Sequence, residues 1–175
     1  MPGKRRLSRP LQSFVEELAL CVAINGDVGP SLLWPDAAAT LPALRRIPRP
    51  QELGPGSAAA PGGPGAAALT SALSDRLGLS VTPRFRALAP GSAWTYDVSG
   101  SAERTVTVLE GACRCDLLSG SPVGRTPPPA PHHPLGMRLR SGSTLFTPRH
   151  GACRLSEVHT PTVLLELVLE DRVRQ

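Results

Sequence analysis

The chain has 175 residues, a formal net charge of +5 and 41% hydrophobic residues, so its length suits one domain with a core of its own. Only 3% of the residues are aromatic, which predicts an aliphatic core and gives none of the basic–aromatic interleaving that binds single-stranded nucleic acid. We therefore do not expect nucleic acid as a partner. No apolar stretch approaches the ~20 residues of a membrane span, so we do not expect a membrane as a partner either.

The cysteines are few and irregularly spaced, which does not suggest a disulfide framework. They are Cys21, Cys113, Cys115 and Cys153. The first apolar run of the chain carries acidic residues, unlike a secretory signal. We therefore expect free thiols in a reducing compartment, with a cytoplasmic or nuclear location.

The N-terminal quarter of the chain is predicted to be helical. Residues 1–9 are polar and basic, and we expect them to be disordered. Residues 10–52 are interpreted as a helical preamble, whose first helix follows Ser8 as N-cap and stops at Asn25-Gly26, because apolar positions recur at helical spacing. This amphipathic helix is expected to pack on the domain. Its alternative role is to bind a partner protein, as in a scaffold protein.

A second, short helix and a linker follow. The helix is predicted from Thr40, as its cap, to Arg46, with a proline in its first turn. Residues 53–77 are interpreted as a linker rich in Gly, Pro and Ala, because a low-complexity run such as 53–68 does not bury a core. Within it, Thr70–Leu77 is expected to form at most one or two helical turns.

Residues 78–171 change to the alternating pattern of β-strands, interrupted by a Pro-rich loop at 119–136. Short strands separated by turn residues predict an all-β sandwich or barrel. The predicted strands are Ser80–Leu88, Trp94–Val98, Thr105–Glu110, Ala112–Leu118, Met137–Arg140, Thr144–Thr147, Cys153–Val158 and Thr162–Glu170.

Two segments of this region carry the spacing of a paired motif. The first, LAPGSAWTYDVSGSAERTVTVLEG, opens with Gly91 and closes at Gly111. The second, SGSTLFTPRHGACRL, keeps a glycine, Gly142, and a proline six residues on, Pro148. Together they resemble the cupin superfamily, which implies a jelly-roll barrel in which the two segments face each other. In the first motif of that superfamily, Asp97 and Ser99 stand at the positions of two histidines, and Glu103 or Arg104 stands near the position of a glutamate. In the second motif, Cys153 stands at the position of the third histidine.

Within that superfamily, the nearest resemblance is to the thiol dioxygenases that act on cysteamine and on protein N-terminal cysteine. It covers about Ser80 to Glu170 and includes the run Leu164–Leu167. The resemblance implies Fe(II) held by three imidazoles and oxidation of a thiol to a sulfinic acid. Imidazole suits iron, but all three histidines are replaced here. The leading interpretation is therefore a non-catalytic, regulatory or ligand-binding barrel without a cofactor, and the alternative is an iron-dependent thiol dioxygenase.

The resemblance also implies a pocket at the barrel mouth for a small molecule or a peptide end. Its expected lining is Trp94, Tyr96, Asp97, Ser99 and Cys153. Asp97 is expected to pair with a cationic amine, such as an N-terminus. Cys153 is expected near Arg149 or Arg154, which would favour its thiolate and a redox role.

Two substitute metal sites remain open from the residues. Asp97, Glu103 and Cys153 together would favour zinc over a redox iron. His150 with His132 and His133 of the Pro-rich loop is the other set. The remaining candidates have structural interpretations. His159 is most simply a surface residue, and Cys113 and Cys115 alternate as small core residues.

Overall fold

A computed structural model of the chain describes residues 7–49, 53–96, 102–118 and 135–172. The predictions for residues 1–6, for positions 97–101 and for the Pro-rich stretch 119–134 lie outside the described residues. Positions 97–101 include the site candidates Asp97 and Ser99. The Pro-rich stretch includes His132 and His133.

Ten strands of the described chain form two antiparallel sheets. One sheet has six strands in the order β1-β8-β5-β10-β3-β2, and the other has four in the order β4-β9-β6-β7. The strands are β1 (Ser31–Leu33), β2 (Ala58–Ala59), β3 (Leu79–Leu88), β4 (Trp94–Thr95), β5 (Glu103–Glu110), β6 (Ala112–Leu118), β7 (Leu135–Arg140), β8 (Thr144–Thr147), β9 (Ala152–Ser156) and β10 (Thr162–Asp171). This arrangement confirms the predicted fold class, an all-β jelly-roll barrel with a short helical segment before it.

Strand β10, which is as long as β3, lies inside the six-stranded sheet, and its side chains belong alternately to two cores. It pairs with β3 along its whole length, from Thr162 opposite Leu88 to Asp171 opposite Leu79, and with β5 on its other side. Successive side chains of a strand point to opposite faces. Leu164 therefore packs between the two sheets, whereas its neighbour Leu165 packs beneath the helices.

The core between the sheets is aliphatic and rich in cysteine. The core under the helices holds the larger residues, including all three phenylalanines of the chain, each fully buried: Phe14, Phe85 and Phe146. The helical segment is thus an integral layer of the domain, because it covers the outer face of the six-stranded sheet.

The first helix, α1 (Arg9–Asn25), confirms the prediction for this segment. Its buried side chains follow helical spacing and contact the sheet and the other helices: Leu11, Phe14, Val15, Leu18, Ala19, Cys21 and Val22. Ser8 occupies the N-cap position, but its side chain makes no capping hydrogen bond. The opposite face leaves Leu20 and Ile24 exposed. Over the described ranges, no helix combines the length and hydropathy needed to cross a bilayer.

The prediction for the second helix was wrong at its start. Helix α2 runs from Ala37 to Arg45 with Asp36 as N-cap, so Thr40 lies inside the helix, where it is buried, instead of capping it. Pro42 is consequently an interior residue of the helix and not, as predicted, part of its first turn, and its missing N–H removes one backbone hydrogen bond.

The linker prediction for residues 53–77 was also wrong, because this segment contains a helix, α3 (Gly63–Leu77), with Gly78 as its left-handed C-cap. Three of its side chains, Ala66, Leu69 and Leu73, are buried in the core under the helices. Ala is the best helix former, and the leucine spacing of four residues places both leucines on one face. The short strands β1 and β2 were not predicted, and β7 begins at Leu135, inside the stretch assigned to the Pro-rich loop.

Candidate functional site

The register of β5 decides which side chain of the first motif enters the barrel. Val106 and Val108 belong to the core between the sheets, and Leu109 belongs to the core under the helices. Because side chains alternate along a strand, Arg104 faces the barrel interior and Glu103 faces away from it. Of the two residues near the glutamate position of the cupin-like motif, the inward one is therefore the arginine.

Arg104 is part of a buried cluster of charges contributed by three strands of the six-stranded sheet. Glu166 of β10 is fully buried and accepts a hydrogen bond from Arg104 Nη1 at 2.7 Å through Oε1 and from Arg86 Nη2 of β3 at 3.3 Å through Oε2. The side chains of Arg86 and Arg104 retain 13% and 25% of their exposure, so this part of the interior borders solvent. We call it the arginine end of the barrel.

Two aromatic side chains of the segment around β4 cover the arginine end from the opposite sheet. The Trp94 and Tyr96 rings lie 4.7 Å apart between centroids. The guanidinium carbon of Arg86 lies 3.9 Å from the centroid of the Trp94 ring, and that of Arg104 lies 5.7 Å from the Tyr96 ring. Such contacts stabilise a cation that is withdrawn from water. Each arginine therefore has one carboxylate oxygen and one aromatic face as neighbours.

Several polar atoms at the arginine end are buried without a hydrogen-bond partner: Arg86 Nε, Tyr96 Oη and Thr147 Oγ1. Burial raises the pKa of Tyr96 well above its usual range, and the nearby thiols of Cys153 and Cys115 add to the effect. The Thr147 hydroxyl beside Tyr96 offsets this only in part, and the two hydroxyls lack the geometry of a hydrogen bond. Tyr96 is thus a neutral hydrogen-bond donor at any physiological pH.

Next to Tyr96 the four-stranded sheet contributes a group of buried thiols. Cys113, Cys115 and Cys153 are all fully buried between the sheets, which confirms the core placement predicted for the first two. The sulfur atoms of Cys115 and Cys153 lie 2.7 Å apart and the residues are free cysteines. The contact with Cys153 and burial raise the pKa of Cys115, and burial raises the pKa of Cys113 to about 12.

The expected neighbours of Cys153 are elsewhere. Arg149 makes a two-point ion pair with Asp171, at 2.6 and 2.9 Å, and its Nε lies 3.4 Å from Glu103. Arg154 is exposed, because it alternates with Cys153 on β9. The prediction that Cys153 lies near Arg149 or Arg154 was therefore wrong, since the group facing the Cys153 sulfur is another thiol.

Of the two substitute metal sites, the one with Glu103 and Cys153 does not assemble, and the other includes His132 and His133, which lie outside the described residues. Glu103 lies on the outer face of the six-stranded sheet, where burial raises its pKa and Arg149 partly offsets the rise, whereas Cys153 lies inside the barrel. His150 is exposed in a turn after β8, and His159 is exposed as expected. No group of three His, Cys, Asp or Glu side chains in this part of the chain could hold a metal ion.

The described residues at the motif positions do not fit iron. Arg104 brings a permanent cation to the position of an acidic ligand, and a guanidinium has no lone pair to donate. Cys153 contacts a second thiol, and its neighbourhood contains no imidazole among the described residues. A ferrous ion is expected to be repelled by this wall of the barrel.

Sequence reasoning missed three residues of the arginine end: Arg86, Thr147 and Glu166. One signal was present, because Glu166 interrupts the aliphatic run of β10 and a buried carboxylate requires a cationic partner. The partners themselves could not be read from the sequence, since Arg104 and Arg86 are 62 and 80 residues away.

A groove of about 900 Å³ lies outside the barrel, between α1 and α3. Its walls are mostly small or apolar, with Val15 on one side and Ala68 and Ala72 on the other, and its polar lining includes Glu16 and Arg76. It is separate from the arginine end.

Comparisons with known proteins found similarities among solved structures only. No family model matches the chain, and no curated protein matches it. Among solved structures, the chain is similar to vicilin from Corylus avellana (16% identity over 57% of this chain and 26% of that one, TM-score 0.43). It is also similar to the Schizosaccharomyces pombe Cnp3 cupin domain (10% identity over 52% and 53%, TM-score 0.40). A third similarity is to TT1209 from Thermus thermophilus (16% identity over 73% and 93%, TM-score 0.45). The chain spans about a quarter of the vicilin and about half of the cupin domain.

Proposed function

We propose that this chain is a non-catalytic cupin-type barrel, resembling thiol dioxygenases, that binds a small ligand at its arginine end. The observation that carries the proposal is the ion pair between Arg104 and Glu166 on the interior wall, at 2.7 Å. It places a fixed cation where the resemblance expects an acidic ligand of a metal. The barrel thus keeps a wall suited to hold a polar molecule while its described residues do not suit iron.

The arginine end has the features of a ligand site rather than of a packed core. Its guanidinium groups border solvent, its aromatic rings flank them, and it contains buried polar atoms without partners. Small-molecule sites combine apolar and aromatic walls with a few directed polar groups. The core nearer Val108 and Leu139 is, in contrast, fully buried and aliphatic.

Oxygen consumption tests the absence of catalysis. The purified chain is supplied with Fe(II) and then with cysteamine or with a peptide that begins with cysteine, and oxygen uptake is followed with an electrode. We expect the rate of oxygen uptake to equal that of the same iron and thiol in buffer. The reason is that the barrel wall at the motif positions presents the Arg104 guanidinium and the Cys153 thiol, which is paired with Cys115. Protein-dependent uptake that yields one sulfinic acid per oxygen molecule would instead establish the dioxygenase alternative.

A further inference from the structure

We propose that the ligand of the arginine end is a small organic carboxylate, bound by Arg86 together with the hydroxyl of Tyr96. This inference rests on the proposed binding function and specifies the chemical class of the ligand. It follows from three independent features of the site, which are its charge balance, its unsatisfied hydrogen-bond donors and its aromatic cover.

The charge balance of the described cluster calls for one negative charge. Arg86 and Arg104 contribute two positive charges, and Glu166, which lies between them, contributes one negative charge. Buried charges are expensive unless they are paired. A monoanion would neutralise the remaining positive charge, whereas a phosphate dianion would leave an excess of negative charge beside the buried Glu166.

The hydrogen-bond donors that lack partners match a carboxylate. Arg86 uses Nη2 to bind Glu166, but its Nε is buried without an acceptor. An unsatisfied buried donor costs about 1–3 kcal/mol, and more when it is charged. The guanidinium edge presents parallel N–H groups that fit the two oxygens of a carboxylate. The Tyr96 hydroxyl, which belongs to the opposite sheet, is a further buried donor without a partner.

The Trp94 and Tyr96 rings cover the arginine end. They account for how the ligand reaches Arg86 and for why the ligand is organic. The Trp94 ring stacks over the Arg86 guanidinium at 3.9 Å and is itself half-buried. It belongs to the two-residue strand β4, which pairs only with β9 at the margin of the four-stranded sheet. A carboxylate that binds Arg86 Nε displaces the indole, and the carbon skeleton of the ligand then packs on the ring.

The displacement of Trp94 provides the assay. The chain has two tryptophans, and Trp34 is 61% exposed, so the Trp34→Phe variant leaves Trp94 as the single reporter. Propionate and benzoate are titrated into this variant while tryptophan fluorescence is recorded at constant ionic strength. The probes for comparison are propionamide, propylamine and inorganic phosphate. We expect a saturable change with both carboxylates and none with propionamide, which has the same shape without the charge.

Two substitutions in the single-tryptophan background locate the binding. Arg86→Lys keeps the charge but removes the planar fork, and Tyr96→Phe removes only the hydroxyl. Each is expected to weaken carboxylate binding by about 10-fold or more, the range of a lost hydrogen bond to a charged group. Arg114→Lys is the matched control, because Arg114 pairs with Asp116 on the exposed face of β6 and is expected to leave binding unchanged. If Arg86→Lys does not fold, as judged by its thermal unfolding, Tyr96→Phe decides the result.

The outcomes separate this inference from the function on which it rests. Binding of propylamine or phosphate without carboxylate overturns the carboxylate assignment and leaves a binding barrel. Carboxylate binding that is unaffected by both substitutions overturns the site. A response to none of the probes also overturns the inference, and the oxygen-uptake measurement then still decides, by itself, whether the barrel is catalytic.

Discussion

The buried charge cluster gives the strongest single prediction of stability. In the Glu166→Gln variant, Arg86 and Arg104 lose the carboxylate that pairs with both of them at 3.3 and 2.7 Å, while their positive charges remain close to each other. Removal of one partner from a buried ion pair costs about 3–5 kcal/mol, because the remaining charges are left uncompensated. Both arginines retain some exposure and can turn towards water, so we expect a loss of about 3 kcal/mol, at the lower end of that range.

The assay is urea unfolding of the parent and the variant at neutral pH, supported by thermal unfolding. A loss of about 3 kcal/mol corresponds to a fall of about 6–12 °C in Tm for a domain of this size. Asp116→Asn is the matched control, since it removes a carboxylate from a surface pair with Arg114, where exposed pairs contribute about 0–1 kcal/mol.

The double variant Glu166→Gln/Arg104→Gln supplies a second check on the same cluster. It removes one of the two uncompensated cations, so we expect it to be more stable than Glu166→Gln alone. A Glu166→Gln variant that unfolds with the same free energy as Asp116→Asn would refute the account of the cluster. Equal stability of the single and double variants would show that the two guanidinium groups do not repel each other.

Three further predictions concern the helix layer, the thiols and the turns. Leu73→Ala should cost about 2–5 kcal/mol in urea unfolding, because Leu73 is fully buried; no loss would mean that 53–77 behaves as a linker. The difference in unfolding free energy between the parent and Cys113→Ala should shrink between pH 9 and pH 11, by up to about 1.4 kcal/mol per pH unit. The reason is that the unfolded thiol ionises near pH 8.5, whereas the pKa of the folded thiol is about 12. A constant difference would contradict the raised pKa. Gly111→Ala should destabilise the domain more than Gly91→Ala. Both glycines have positive φ, but a Cβ at Gly111 would lie 2.8 Å from the Pro161 carbonyl oxygen, whereas a Cβ at Gly91 would meet nothing within 4 Å. Equal losses of stability would show that local movement relieves the contact at Gly111.

The strands could be predicted from the sequence because their signal is local. Alternation and turn residues located β6 and β8 with the bounds that the structure has, and the run of Leu and Val identified β10 as a buried strand. Only the C-terminal part of helix α3 was predicted, as one or two turns within Thr70–Leu77, because its first turns are Gly, Pro and Ala, a composition typical of disorder as well. In this stretch only Leu69 and Leu73 distinguish a helix from a disordered segment. Their burial beneath α1 stabilises the helix.

The candidate site could be predicted only in part, because it depends on pairings that are distant in the sequence. Cys113 and Cys115 were placed in the core by alternation alone. The choice between Glu103 and Arg104 needed the register of β5, which is fixed by its pairing with β10. The association of Glu166 with two arginines needed the order of three strands in the sheet, which no local pattern contains.

In the proposed function, the barrel has a wall unsuited to iron because Arg104 and a paired thiol stand at motif positions where the resemblance implies metal ligands. Elemental analysis of the full chain, purified without chelators from cells grown with added iron, tests it most directly. We predict far less than one iron or zinc ion per chain, with no gain after incubation with Fe(II) and gel filtration. One iron ion per chain that survives gel filtration would contradict the claim.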